Sequence, residues 1–162
     1  MPAALAPSLP SIQPETPFDA SAVDALVLVA FGPGRFAKTA ERLREDSRPA
    51  AGFVAREGGR VIGSVRLWPI RVGETEALFL GPIAVAAEAR KGGVGARLVE
   101  ACLSHAREIG AAGVLLVGDP PFFARFGFRG AADVRLPGPV EPGRVMWLPL
   151  NESAPAGLVR RD

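Results

Sequence analysis

Between residues 77 and 117 the chain passes from an apolar stretch to a glycine-rich turn, an amphipathic segment and a second apolar stretch. No other part of the sequence constrains the fold as strongly. The first stretch, 77–85, ends Ile83-Ala84-Val85. From Val94, apolar residues recur at Leu98, Cys102, Ala106 and Ile109, while Arg97, Glu100, Ser104 and Arg107 fall on the opposite side. That is the period of a helix with one buried face. Gly110 suits the residue just past its end. Residues 112–117 are continuously apolar, the pattern of a strand covered on both faces. Strand, helix and strand in this order form a βαβ unit with parallel strands and a right-handed crossover.

The remaining elements read as antiparallel. Residues 1–7 read as an extended lead-in punctuated by proline, and 9–13 as a first strand. Phe18-Asp19-Ala20-Ser21 carries N-cap chemistry for a helix reaching Phe31, which Gly32-Pro33-Gly34 breaks, and a second helix is expected over 37–45. Residues 52–56 and 61–72 alternate as strands around the turn Glu57-Gly58-Gly59-Arg60, with Pro69 expected at a bulge or an edge. Asp119-Pro120-Pro121 reads as a short helix start, and 134–136 and 144–150 as closing strands. The expected fold is α+β (mixed α/β): one domain over 8–150 built on a mixed, mostly antiparallel sheet with flanking helices, followed by a loosely held tail at 151–162.

Composition excludes several classes of function. A net charge of +2 without a block of like charges gives no stripe for nucleic acid. No run of about 18 uncharged apolar residues offers a membrane span. Cys102 is the only cysteine, so neither an internal disulfide nor a cysteine metal cage can form. No metal, a cytoplasmic setting and no membrane or nucleic-acid partner are the expectations.

The turn itself carries chemistry. Arg90-Lys91-Gly92-Gly93-Val94-Gly95-Ala96 places three glycines and two cations at the start of the helix. The first helical N–H groups have no intrahelical acceptor, and the helix dipole adds partial positive charge there. Glycine lets a ligand approach the backbone closely, so a pyrophosphate suits the site. A Walker loop would need Gly-Lys-Ser/Thr, which is absent. Gly32-Pro33-Gly34-Arg35-Phe36-Ala37 fits a dinucleotide fingerprint by spacing, but it follows a helix where that fingerprint needs a strand.

Arg90-x-x-Gly93-x-Gly95 after Ile83-Ala84-Val85 resembles the acetyl-CoA motif of the GNAT acetyltransferases. Phe122-Phe123-Ala124-Arg125-Phe126-Gly127-Phe128 is similar to that family's second marker, an aromatic followed four residues later by Gly-Phe. The resemblance implies an N-acetyltransferase that uses acetyl-CoA as cosubstrate and acetylates a primary amine of a small molecule or peptide. It implies that Ile83 and Val85 offer main-chain groups to the pantetheine arm, with the Ile83 N–H polarising the thioester carbonyl. Arg90, Lys91, Gly92, Gly93, Val94, Gly95 and Ala96 would hold the pyrophosphate. Homodimers are frequent in the family.

The sequence departs from that pattern where the family commonly carries a tyrosine that protonates the leaving thiolate. Here the residue is Phe123, and the chain contains no tyrosine. The usual base positions on the third strand hold Phe79 and Gly81. A domain that binds acyl-CoA with little or no chemistry is therefore the alternative. Phe31, Phe36, Trp68, Phe79 and Asp119 are the candidates for an acceptor pocket, with core packing the competing role for the aromatics and N-capping for Asp119. His105 lies twelve residues beyond Gly93, about 18 Å along the helix at 1.5 Å per residue, which marks it as structural.

Overall fold

A computed structural model describes residues 9–162; the proposed lead-in over 1–7 and Ser8 lie outside the described residues. The strands are β1 (Ser11–Pro14), β2 (Ala51–Glu57), β3 (Arg60–Val72), β4 (Thr75–Leu80), β5 (Ala84–Val85), β6 (Gly113–Val117), β7 (Arg129–Gly130), β8 (Val134–Arg135), β9 (Val145–Pro149) and β10 (Gly157–Arg161). The helices are α1 (Ala20–Phe31), α2 (Thr39–Arg42), α3 (Val94–Glu108) and α4 (Pro120–Phe123). The main sheet runs β1-β2-β3-β4-β6-β9-β7. Only β4 and β6 pair in parallel along that path, at Leu78–Val114 and Phe79–Leu115, which is the βαβ unit expected from the sequence.

The sheet is covered on both faces, and alternation along the strands divides the core. Helix α3 buries Val94, Leu98, Val99, Cys102, Leu103 and Ala106 against Val65, Leu67, Leu78, Val114 and Leu116. Each large aliphatic side chain buried this way contributes about 1.5–3 kcal/mol. Gly63 lets the helix sit close, since a Cβ there would stand 3.0 Å from both Leu98 and Val94. Ile109 is 54 % exposed, so the apolar face ends at Ala106. On the other face Trp68, Ile70, Phe79, Leu115 and Trp147 pack with Leu43 and Val159. Strand β6 thus buries alternate residues in both cores, which is why its sequence lacks polar alternation.

Several elements differ from expectation. Residues 37–45 do not form one helix: a 3-10 turn, Pro33–Ala37, is followed by the single-turn α2. The stretch 77–85 is two strands, because both pair with β3 but in registers offset by one residue. Leu80 pairs with Leu67 and Ala84 with Ser64, leaving a bulge at Gly81-Pro82. Pro69 makes no bulge. It keeps register with Leu78 and lies where β2 has ended at Leu67 and β10 begins at Ile70. The tail is not loose throughout, since β10 pairs antiparallel with β3 and parallel with β8, and Val159 is fully buried.

Candidate active site

The bulge opens the sheet. Antiparallel pairing alternates main-chain groups between the two sides of a strand. The Ala86 N–H donates to the Ile62 carbonyl at 2.8 Å, and Ala84 pairs with Ser64, so these residues face β3. The main-chain groups of Ile83 and Val85 therefore point the other way. On that side β6 has lost its β4 partner after Leu115, and among the described residues no backbone pair joins β5 to β6 across the gap. The Trp68 indole N–H pins the bulge by donating to the Gly81 carbonyl at 2.6 Å.

One end of the gap is closed by the glycine turn. Residues Ala87–Gly92 wind as a 3-10 helix, and Gly93 joins it to α3 at φ 74, a left-handed conformation that glycine adopts without cost. The Gly93 carbonyl accepts the first intrahelical bond, from Arg97 N. Among the described residues no side chain caps the first turn of α3, and no acidic residue occupies it. Arg90, Lys91, Gly92 and Gly93 are exposed, and a Cβ on either glycine would meet nothing within 4 Å. These features fit a diphosphate. The Arg90 guanidinium is turned back, its Nε donating to the Val85 carbonyl at 3.3 Å. Gly95 faces the gap wall, where a Cβ would touch Phe122 and Val85 at 3.7 and 3.9 Å.

The other end widens into a cleft of about 460 Å³ lined by Ile83, Gly118, Asp119, Phe123, Phe31 and Arg44, among others. Phe123 packs edge-on against Phe122 and Phe128, and Gly118 makes room for its ring, since a Cβ there would lie 2.4 Å away. Asp119 precedes α4 and its main-chain carbonyl accepts from Phe122 and Phe123, but its side chain makes no cap bond. The carboxylate is exposed along the cleft.

The structure thus brings Ile83, Asp119, Phe123 and Phe31 together. It separates the other pocket candidates from them. Phe79 is fully buried and Trp68 nearly so, both in the core behind the bulge, while Phe36 lies outside under the Arg35 guanidinium, 4.2 Å from its ring centroid. His105 stands near the far end of α3, edge-on to Phe53. Burial pushes the Cys102 thiol well above its usual pKa. Among the described residues no cluster could ligate a metal, and no helix is long and apolar enough to cross a membrane.

Sequence reasoning missed the cations of the cleft. Arg35, Lys38, Arg44 and Arg144 line it with Glu141 as well as Asp119. The sequence places Arg35 in a loop and Lys38 and Arg44 on a helix over 37–45, whereas a 3-10 turn and the single-turn α2 bring all three to the cleft.

Known proteins share this fold. The model of the GNAT acetyltransferase family matches residues 21–128. A protein of Escherichia coli K12 named uncharacterized N-acetyltransferase YhbS is 38% identical over 124 residues, 75% of this chain and 74% of its own. A second from the same strain, uncharacterized N-acetyltransferase YjhQ, is 31% identical over 140 residues, 80% of this chain and 77% of its own. The crystal structure of Escherichia coli YhbS in complex with CoA superimposes with a TM-score of 0.84 at 34% identity, covering 99% of this chain and 94% of that one. A Brucella melitensis GNAT acetyltransferase in complex with acetyl-CoA gives 0.74 at 26% identity over 94% and 96% of the two chains. With a family model spanning the glycine turn, the diverging strands and the phenylalanine cluster, the chain belongs to the GNAT family and is an N-acetyltransferase.

Proposed function

We propose that the protein transfers acetyl from acetyl-CoA directly to a primary amine held in the 460 Å³ cleft. The observation that carries this reading is the gap between β5 and β6, with the uncapped first turn of α3 at one end and the cleft at the other. The N–H groups of Lys91, Gly93, Gly95 and Ala96 would receive the pyrophosphate, which the positive end of the helix favours. Ile83 and Val85 would hold the pantetheine arm as an added strand. The Ile83 N–H, aimed away from β3, would donate to the thioester oxygen as negative charge develops there. Removal of one such donor elsewhere costs about 3 kcal/mol. The incoming ammonium first gives one proton to water; the neutral amine nitrogen then bonds to the carbonyl carbon, the carbon–sulfur bond breaks, and the second proton that the nitrogen sheds passes to the thiolate through water. Asp119 supplies a carboxylate on the cleft wall to orient the incoming ammonium. No enzyme nucleophile is required, and a reducing, cytoplasmic setting suits the buried thiol of Cys102.

The test is calorimetry with acetyl-CoA, followed by CoA release measured with a thiol reagent across a panel of amines. Burial of Cys102 keeps the background low. Acetyl-CoA should bind, and CoA release should rise when an acceptor amine is added. Absence of binding, or release indifferent to every amine, would overturn the reading.

A further inference from the structure

The cleft is not electrically uniform. Arg44 reaches into it from just beyond α2, with its side chain only 11 % exposed. Glu41 holds one side of the guanidinium, Oε2 accepting from Nη1 at 3.2 Å, and the same oxygen accepts from Arg35 Nη1 at 3.0 Å. One carboxylate therefore serves two guanidiniums, and Lys38 adds a third cation to this wall. The opposite edge of Arg44, the parallel Nε and Nη2 donors, has no hydrogen-bond partner among the described residues. Nε is buried and unsatisfied. Nη2 lies over the bulge, since a Cβ on Gly81 would stand 2.8 Å from it. Burial of an unmet charged donor is costly unless an acceptor completes it. Nε is closed off from solvent, so Nη2, which also lacks a partner among the described residues, is the donor left to a carboxylate in the cleft. Asp119 and Glu141 stand elsewhere on the lining with Arg144, whose Nε donates to the Gly118 carbonyl at 3.2 Å.

We propose that the acceptor is an amino carboxylate, with its carboxylate received by Arg44 Nη2 and its ammonium lying toward Asp119. This rests on the acetyl-transfer reading but concerns which amine the cleft selects. Arg35 and Lys38 reinforce the positive wall. Burial pulls the Arg44 guanidinium below its ordinary pKa while Glu41 opposes the shift, and arginine still remains charged at neutral pH.

The experiment compares α- and ω-amino acids of two to six carbons with their carboxamides and with aminoalkyl phosphates, reading kcat and KM for CoA release. At least one amino acid should exceed its carboxamide tenfold or more in kcat/KM. Arg44→Gln should lower that ratio at least tenfold through KM, and Arg44→Lys should restore part of it. Carboxamides acetylated as well as the acids, a preference for phosphates, or a ratio unmoved by Arg44→Gln would each overturn the proposal. A second measurement separates this from failure of the transfer reading: calorimetry of N-acetyl amino acids and their amides in the presence of CoA. Tighter binding of the acid, lost in Arg44→Gln, would support the proposal even without turnover. Equal or absent binding of both would sink it. Should Arg44→Gln fail to fold, the acid-to-amide comparison on the parent protein still decides.

Discussion

Phe123, 8 % exposed, lines the cleft and packs edge-on against Phe122 and Phe128. Phenylalanine has no proton to give, and general acid help is worth about 10²–10⁴-fold where it operates. In Phe123→Tyr the new hydroxyl would supply that proton to the departing thiolate. Steady-state turnover should equal or exceed the parent's, while a hydroxyl lacking a partner would lower stability by about 1–3 kcal/mol. Turnover that collapses with acetyl-CoA affinity intact would show that the position must remain apolar. The absent phenol was legible from residue identity alone. The roles of Trp68 and Phe79 were not, because an aromatic on a strand reads the same whether it faces a pocket or a core. Only the register of β3 against β4, which turns both into the buried side, decides it.

The uncapped start of α3 is where an element acts as a unit. Gly93 has a left-handed backbone with open space around it, a conformation that asparagine and aspartate tolerate better than other side chains. Gly93→Asn and Gly93→Asp therefore form a matched pair differing by one charge. The aspartate variant should bind acetyl-CoA at least tenfold more weakly than the asparagine variant by calorimetry, a loss of about 1.4 kcal/mol. Equal affinities would remove the diphosphate from this turn. Helix α3 and strand β6 could be read from sequence because their periods are strong and their signals local. The break between β4 and β5 could not, since a one-residue offset exists only relative to the partner strand. Strand β10 was missed for a similar reason: Gly157-Leu158-Val159-Arg160-Arg161 is short and ends in two arginines, and pairing with β3 makes it a strand. In 37–45 the helical period was present, but the chain keeps only one α-turn there while Arg35 and Arg44 converge on Glu41.

At the scale of the whole molecule, α1 is fastened to the sheet by a charged group. Asp19 Oδ2 accepts from Arg56 Nη2 on β2 at 2.6 Å and from the Thr16 N–H at 2.8 Å. The bond from Arg56, followed by that from the Thr16 backbone, holds the Asp19 carboxyl below its ordinary value of 3.8. A lowered carboxylate pKa stabilises the fold in full above the ordinary value, and this stabilisation is lost as pH falls through the lowered one. Denaturation followed from pH 7 to pH 2 should show an acid limb in the parent protein that is shallower in Asp19→Asn, which should be the less stable of the two at neutral pH. Matching pH profiles would mean that the pair adds nothing to folding.

The hydrogen bond from Trp68 to the Gly81 carbonyl also gives the molecule an optical handle. With no tyrosine and only two tryptophans, its near-ultraviolet emission comes from Trp68 and Trp147 alone. The indole of Trp68 is bonded to the bulge that opens the gap, so its emission is tied to the geometry that a bound thioester would meet. Replacing Trp147 with phenylalanine would leave a single fluorophore at that point, allowing binding to be timed in a stopped-flow instrument without a label.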